Sequence, residues 1–174
     1  MRRKPFIFII IAQVLVLVGL ALGHTAVGWF GKEIRLETKP VDPRDWLYGD
    51  YVALFYDIHE VPFDRWQGEG EPDGDPVYVV LEPQGEVHIV KEVVPQRPRT
   101  EPGEVFLKAR ARTEWLYDEE ERETKSLTLT YGLERYYVPE GTGTAWEAPE
   151  KTPVVHLKVA PWGQGKIERL EPGP

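Results

Sequence analysis

Residues 104–112 read "EVFLKARAR", and their apolar and charged side chains alternate almost position by position. One set is Val105, Leu107, Ala109 and Ala111, and the other is Phe106, Lys108, Arg110 and Arg112. Successive side chains of a β-strand point to opposite faces, so a strand with this pattern buries the first set and exposes the second. The stretch therefore predicts a half-buried β-strand.

The same period of two recurs on both sides of this strand. It is found at residues 51–58, 77–82, 86–94, 126–138 and 154–160. Stretches rich in proline and glycine, such as "QGEGEPDGDP" and "PQRPRTEPGE", separate these segments and predict turns. About six or seven short strands with such turns between them predict one antiparallel β-sandwich or barrel-like domain.

Two further segments are expected to lie outside the strands. Thr144–Glu150 is the best candidate for a short helix. The acidic run "DEEERE" at residues 118–123 is expected to form a solvated hairpin loop, because like charges repel each other. The fold class is therefore mainly β.

The N-terminal part of the chain has a different composition. Residues 6–23 carry Gln13 as their only polar side chain. Together with the less apolar residues Thr25–Phe30 they reach the roughly 20 residues that span a bilayer. The residues expected inside the membrane include Phe6, Ile10, Gln13, Leu17 and Leu22. We predict that residues 1–31 form a cytoplasmic stub and a transmembrane anchor, and that residues 32–174 form an exported β-rich domain.

The flanking charges predict the orientation of this anchor. Arg2, Arg3 and Lys4 precede the apolar stretch, and the positive-inside rule then places the N-terminus in the cytoplasm. The alternative is a cleaved signal peptide, for which Ala21-Leu22-Gly23 would be a weak cleavage site. Signal peptides have shorter apolar cores of about 7–15 residues, so an uncleaved single-pass anchor in the bacterial cytoplasmic membrane is favoured.

Composition excludes several classes of function. The chain has no cysteine, which rules out disulfides, thiolate metal sites and thiol catalysis. All of the acidic residues lie beyond position 32, together with all but four of the basic residues, so the domain is strongly acidic. An acidic domain repels phosphate, and we expect neither nucleic-acid binding nor a domain that lies flat on anionic lipid.

The composition also indicates a hot habitat. Asparagine and cysteine are absent, methionine occurs once, and the chain has 16 prolines and 29% charged residues. Few thermolabile residues combined with many charges and loop prolines are typical of thermophilic proteins. A GC-rich genome would change the composition in a similar direction.

Two blocks of the sequence resemble the GDYXXLXY family. The first block, "PVDPRDWLYGDYVALFYDI" at residues 40–58, matches every fixed position of the pattern through Gly49, Asp50, Tyr51, Leu54 and Tyr56. The second block, "YGLERYYVPEGTG" at 131–143, is similar to the family's later conserved segment. The resemblance implies an N-terminal membrane segment with an exported domain. It also implies an integral membrane partner, but no particular chemistry.

The candidate functional residues come from these two blocks. They are Asp42, Arg44, Asp45, Asp50, Tyr51, Tyr56, Glu134, Arg135, Tyr137 and Glu140. In one interpretation their arginines and carboxylates form an ionic network that ties two loops together. In the other, two carboxylates with separated pKa values line an open cleft and hydrolyse a substrate such as a glycoside. We favour the network and assign no catalytic residue.

The aromatic residues of the same region leave two interpretations open. Tyr51, Phe55, Tyr136, Tyr137 and Trp146 either form an exposed contact surface or close the ends of a small core. The sequence alone does not favour one over the other.

Metal and cofactor sites are not expected. His59, His88 and His156 lack the spacing of metal ligands, and each is expected on the polar side of a strand. A Ser/Lys mechanism is disfavoured, because the only serine, Ser126, lies far downstream at the edge of the acidic run, and Thr38 and Lys39 are adjacent in the sequence instead of converging from separate strands. The expected function is a non-catalytic accessory or assembly subunit of a membrane complex, and the alternative is an envelope hydrolase.

Overall fold

The computed structural model describes residues 3–39, 51–117, 123–137 and 153–171. In these parts one long helix is followed by eleven strands and two short 3-10 turns. The elements are α1 (Arg3–Phe30), β1 (Lys32–Lys39), β2 (Tyr51–Ala53), β3 (Phe55–Tyr56), β4 (Glu60–Pro62), β5 (Asp73–Gln84), β6 (Val87–Val94), β7 (Val105–Tyr117), β8 (Glu123–Thr130), β9 (Arg135–Tyr137), β10 (Val154–Val159) and β11 (Gly165–Glu171), with 3-10 turns at Asp57–His59 and Phe63–Arg65. The predicted helix at Thr144–Glu150 lies outside the described residues.

Helix α1 could cross a membrane. Its segment Ile7–Phe30 contains 24 residues and is apolar enough to do so. At 1.5 Å per residue this segment is about 36 Å long, which exceeds the hydrocarbon thickness of a bilayer. Side chains from Ile7 to Gly23 are exposed around the whole helix, among them Ile10, Gln13, Leu17 and Leu22, while Phe6 lies in its first turns. A helix that is apolar on all sides is typical of a membrane span or of the core of a large protein.

The strands form two main antiparallel sheets. The four-stranded sheet has the order β11-β10-β1-β3, the five-stranded sheet has the order β4-β8-β7-β5-β6, and β2 pairs with β9 in a separate ribbon. The edges of the five-stranded sheet approach each other, because the backbone N–H of Gln67 donates to the carbonyl of Val93 at 2.9 Å. The sheet is thereby nearly closed into a barrel. The prediction of a mainly β, antiparallel fold is confirmed.

Both main sheets contribute to one hydrophobic core. The four-stranded sheet provides Ile34, Leu36, Val155, Leu157 and Val159, and the five-stranded sheet provides residues that include Val77, Val79, Leu81, Leu107, Ala109, Ala111, Leu127 and Leu129. The alternation predicted for β7 is confirmed, since its small apolar residues are buried and Lys108, Arg110 and Arg112 are exposed. Phe106 differs from the prediction and is buried. Its ring contacts Tyr78 edge to face and lies 5.6 Å below the Arg97 guanidinium.

Two of the predicted strands are divided in the structure. The segment 51–58 becomes β2, β3 and a 3-10 turn, and the segment 126–138 ends as β8 at Thr130 before β9 begins. Gly132 has a φ of +75° between them, a conformation that favours glycine and breaks the strand. The hairpin predicted around residues 118–123 is formed by β7 and β8, with Tyr117 opposite Glu123. Residues 118–122 lie outside the described part.

Candidate functional site

The two sequence blocks meet in the structure. Strands β2 and β9 pair through Tyr51 with Tyr137, Val52 with Tyr136, and Ala53 with Arg135. The next residue, Leu54, donates its backbone N–H to the carbonyl of Glu134 at 2.8 Å. We call this contact between residues 51–58 and 131–137 the clasp. It joins two segments that are far apart in the sequence.

Two tyrosines, the buried Tyr56 and the partly buried Tyr131, hold the inner side of the clasp. Tyr56 donates its hydroxyl to the carbonyl of Leu133 at 2.7 Å, and Tyr131 donates its hydroxyl to the carbonyl of Ile58, also at 2.7 Å. Their rings meet edge to face at 6.5 Å. Each block therefore provides a hydroxyl donor to the backbone of the other block.

Burial sets the ionisation state of these tyrosines. Desolvation raises the pKa of Tyr56 well above its usual value, and it does the same for Tyr131. The negative charge of Glu134 raises the pKa of both groups further. Both hydroxyls stay protonated in the physiological pH range, so they act as hydrogen-bond donors and not as bases.

Glu134 stabilises the turn that precedes β9. Its Oε1 accepts hydrogen bonds from the backbone N–H groups of Tyr131, at 2.5 Å, and Gly132, at 3.1 Å. A carboxylate that accepts two backbone N–H groups stabilises the local chain conformation. Glu134 therefore has a structural partner within its own loop.

The outer face of the clasp carries exposed side chains. Leu54 and Tyr56 point into the core, so Phe55 points outward, and Arg135 and Tyr137 lie on this outer side as well. Tyr137 is 70% exposed and Phe55 is 42% exposed. Tyr136 packs against the core instead. Among these aromatic residues, Tyr136 therefore belongs to the core, whereas Phe55 and Tyr137 are exposed.

The remaining candidate residues divide into two groups. Asp42, Arg44, Asp45, Asp50 and Glu140 lie outside the described residues, as does Trp146. For Tyr51 the structure describes the backbone pairing in β2. The structure therefore brings together Tyr51, Tyr56, Glu134, Arg135 and Tyr137. The ionic network predicted for the two loops stays a prediction.

An ionic cluster that the sequence analysis missed surrounds His156. This residue of β10 lies on the outer face of the four-stranded sheet, as expected, but it is completely buried. Its Nδ1 lies 2.9 Å from Oε1 of Glu33, and its Nε2 lies 2.9 Å from Oε2 of Glu171 in a contact that is not aligned as a hydrogen bond. Arg169 lies beside the ring, with Nε 3.2 Å from Glu171. We call these four residues the His156 cluster.

The imidazole changes the acidity of both carboxyls. Its hydrogen bond lowers the pKa of Glu33, and the adjacent Arg169 lowers it further. The contact with His156 also lowers the pKa of Glu171. Both carboxylates are about half exposed, so they form an ionic cover over the buried ring. The four residues come from β1, β10 and β11, so no local spacing in the sequence could have indicated them.

The other histidines lie in separate places. His59 belongs to a 3-10 turn and contacts the ring of Phe55, and His88 is half-buried on β6. Desolvation lowers the pKa of His88, and the charge of Lys32 lowers it further. Among the described residues, no group of three or more His, Cys, Asp or Glu side chains is arranged to hold a metal ion.

The open hollows of the described surface include two of about 250 Å³ and about 310 Å³. One, of about 250 Å³, lies between β4 and β6 and is lined by residues that include Glu37, Asp57, Glu60 and His88. The other, of about 310 Å³, lies between Tyr131, Leu133 and the turn around Trp162. Glu134 lines neither of them.

Comparisons with known proteins give one match. No curated protein and no solved structure matches the chain. The model of the family described as GDYXXLXY protein matches residues 13–170, which is nearly the whole chain and includes both halves of the clasp. The chain therefore belongs to the GDYXXLXY family.

Proposed function

We propose that this protein is a membrane-anchored, non-catalytic accessory or assembly subunit of a membrane complex. The observation that carries the proposal is the outer face of the clasp, where Phe55, Arg135 and Tyr137 are exposed together. Aromatic and arginine side chains are enriched at the centres of protein–protein interfaces. The outer face of the clasp is therefore the proposed contact with the partner.

The distribution of exposed aromatic residues supports this location. Within the described part of the β-domain, the large hydrophobic side chains with high exposure are Phe55, Trp115 and Tyr137. Trp115 lies on β7, with the ammonium group of Lys125 at 4.3 Å from the centre of its ring. Two of the three residues thus lie on the clasp, where the two family blocks meet.

The helix supports the choice of an integral membrane partner. An anchored domain is confined to the bilayer surface, so a partner in the same membrane meets it at a high local concentration. The proposed topology places the N-terminus in the cytoplasm and the β-domain outside the bacterial cytoplasmic membrane, because Arg2, Arg3 and Lys4 precede the apolar stretch that begins at Phe6. Since the chain has no cysteine, single cysteines introduced at exposed sites and labelled from outside intact cells would test this topology.

The chemistry of the clasp disfavours the hydrolase alternative. A hydrolase that uses paired carboxylates as general acid and base needs these groups to reach the substrate. Glu134 instead directs Oε1 to two backbone N–H groups, and the tyrosine hydroxyls donate to carbonyls. The carboxylates that a hydrolase would still require are Asp42, Asp45, Asp50 and Glu140, outside the described residues.

Co-purification of the full-length protein in mild detergent tests the proposed function. We expect a multi-spanning membrane protein in stoichiometric amount with the wild type. The double variant Phe55→Ser, Tyr137→Ser should lose this partner while it keeps its own fold, whereas the matched control Trp115→Ser should retain it. Recovery of the wild-type protein alone, or equal partner recovery with the clasp variant, would contradict the proposal.

The proposed hot habitat has its own test. Thermal unfolding of the full-length protein, followed by circular dichroism, should occur above the range of about 45–65 °C that is typical of mesophilic domains. Unfolding within that range would indicate that a GC-rich genome, and not a hot habitat, explains the amino-acid composition.

A further inference from the structure

The β-domain begins directly at the end of α1. A single residue, Gly31, separates α1 from β1, and its N–H donates to the carbonyl of Val27 at 2.9 Å. Val27 is 1% exposed, so the last turn of the helix packs on the domain. A Cβ atom at Gly31 would lie 2.9 Å from Cβ of Lys158, so the backbones approach closely here. The helix and the domain are therefore joined without a flexible linker.

The turn between β10 and β11 lies at the same end of the domain. Val159, the last residue of β10, is opposite Lys32, the first residue of β1. The turn at residues 160–164 therefore extends from the sheet on the side where α1 ends. It is held by hydrogen bonds from the N–H of Ala160 to the carbonyl of Gln164 and from the N–H of Gly163 to the carbonyl of Ala160, at 2.9 Å and 2.8 Å. This rigid turn carries Trp162.

A second loop, at residues 95–104, joins this end of the domain. Arg97 donates to the carbonyl of Pro161 at 2.9 Å, and Lys32 donates its ammonium group to the carbonyl of Gly103. We call Lys32, the loop 95–104 and residues 160–166 the docking end.

The charge of the docking end differs from that of the domain. Its basic residues are Lys32, Arg97, Arg99 and Lys166, of which the first three are exposed. Its acidic residues are Glu101 and Glu104, and the Glu104 carboxylate is already paired with Lys91 at 2.6 Å. The domain is acidic as a whole, but the end beside the helix is basic. The net charge of the whole domain therefore does not describe the surface that would face lipid.

We infer that the docking end rests on anionic phospholipid headgroups of the bilayer that α1 spans, with Trp162 in the interfacial layer beside Trp29 and Phe30. This inference rests on the proposed membrane anchoring. Tryptophan is favoured at the membrane–water interface, and cations near the surface are attracted to anionic lipid. Because Gly31 is the one residue between α1 and β1, the end of the helix holds this end of the domain at the bilayer surface. The domain then has one fixed orientation on the membrane.

The absence of cysteine makes a direct test possible. The full-length variant Pro161→Cys is labelled with a fluorophore and reconstituted in vesicles of phosphatidylcholine with phosphatidylglycerol, some of which carry a doxyl-lipid quencher. The control label is placed at Glu114→Cys, which is exposed near the far end of β7. Glu114 lies nine positions after Val105 along the strand, which corresponds to about 30 Å.

We expect strong quenching of the label at Pro161→Cys and little quenching at Glu114→Cys. Adding Trp162→Ala should reduce the quenching at Pro161→Cys, and so should the pair Lys32→Gln, Lys166→Gln or vesicles of phosphatidylcholine alone. Circular dichroism of each variant verifies that it is folded.

Two outcomes separate the inference from the proposed anchoring. If carbonate extracts the protein from the vesicles, both the anchoring and the docking are wrong. If the protein stays in the membrane but the two labels are quenched equally, the anchoring holds and the docking is overturned. Quenching at Pro161→Cys that does not depend on anionic lipid would overturn the charge argument.

Discussion

The clasp and the His156 cluster both join distant parts of the chain, but they use different interactions. In the clasp, neutral tyrosine hydroxyls donate to backbone carbonyls beneath a packed surface. In the His156 cluster, a buried imidazole is covered by half-exposed carboxylates and a guanidinium. The first contact depends on packing and burial, and the second depends on the charge of groups that meet water. The two should therefore respond differently to mutation and to pH.

The largest expected effect concerns Leu54, a buried residue on the inner side of the clasp. Leu54→Ala should lower the free energy of unfolding by about 2–5 kcal/mol, because Leu54 is 1% exposed and its removal leaves a cavity. Denaturant unfolding of the full-length protein in mild detergent measures this change. The neighbouring Phe55→Ala is the matched control, and it should cost much less because Phe55 points outward. Equal losses for the two variants would contradict the assignment of faces.

The hydroxyl of Tyr56 provides a smaller effect. Tyr56→Phe keeps the ring but removes the donor to Leu133, so a partly buried carbonyl loses its partner and the free energy of unfolding should fall by about 1–3 kcal/mol. Tyr131→Phe should act similarly through Ile58. The double variant measures whether the two bonds are coupled, and strict additivity would indicate that the clasp is two independent contacts.

The smallest effect is expected at the His156 cluster and depends on pH. The pKa values of Glu33 and Glu171 are lowered in the folded state from the usual value of 4.5. Lowered carboxyl pKa values contribute stability that is present above pH 4.5 and is lost as the pH falls through the folded-state pKa values. We expect the free energy of unfolding to fall in that acidic range.

The variant His156→Leu tests the cause of this pH dependence. Without the imidazole, the fall in stability below pH 4.5 should be shallower, because the contact that lowers both pKa values is gone. Tyr56→Phe is the control and should keep the wild-type slope, since its partners do not titrate in that range. An unchanged slope in His156→Leu would contradict the assigned role of the histidine.

The sequence predicted the parts of the fold that alternate without interruption. Strand β7 and the inward set Leu54, Tyr56 and Ile58 are confirmed, because each has an apolar residue at every second position. Strand β11 was missed for a physical reason. A register shift beside His156 places Ile167 opposite Leu157 and Leu170 opposite Val155, so its apolar residues are three positions apart and break the period of two.

The candidate site was predictable in part. The two blocks were expected to meet, and residues 51–53 and 135–137 do pair. The role of Glu134 was not predictable, because its two partners are backbone N–H groups of its own turn. The His156 cluster depends on β1 and β11, neither of which was predicted, so its residues had no reason to be grouped.

The one-residue junction at Gly31 has a geometric consequence. Since no free segment absorbs rotation there, the direction in which the β-domain faces is set by the rotation of α1 about its own axis. Each residue inserted into or deleted from the helix would turn the domain by about 100° about the helix axis. With α1 held in a membrane by a partner, as proposed, the length of the helix would set the direction in which the domain faces that partner.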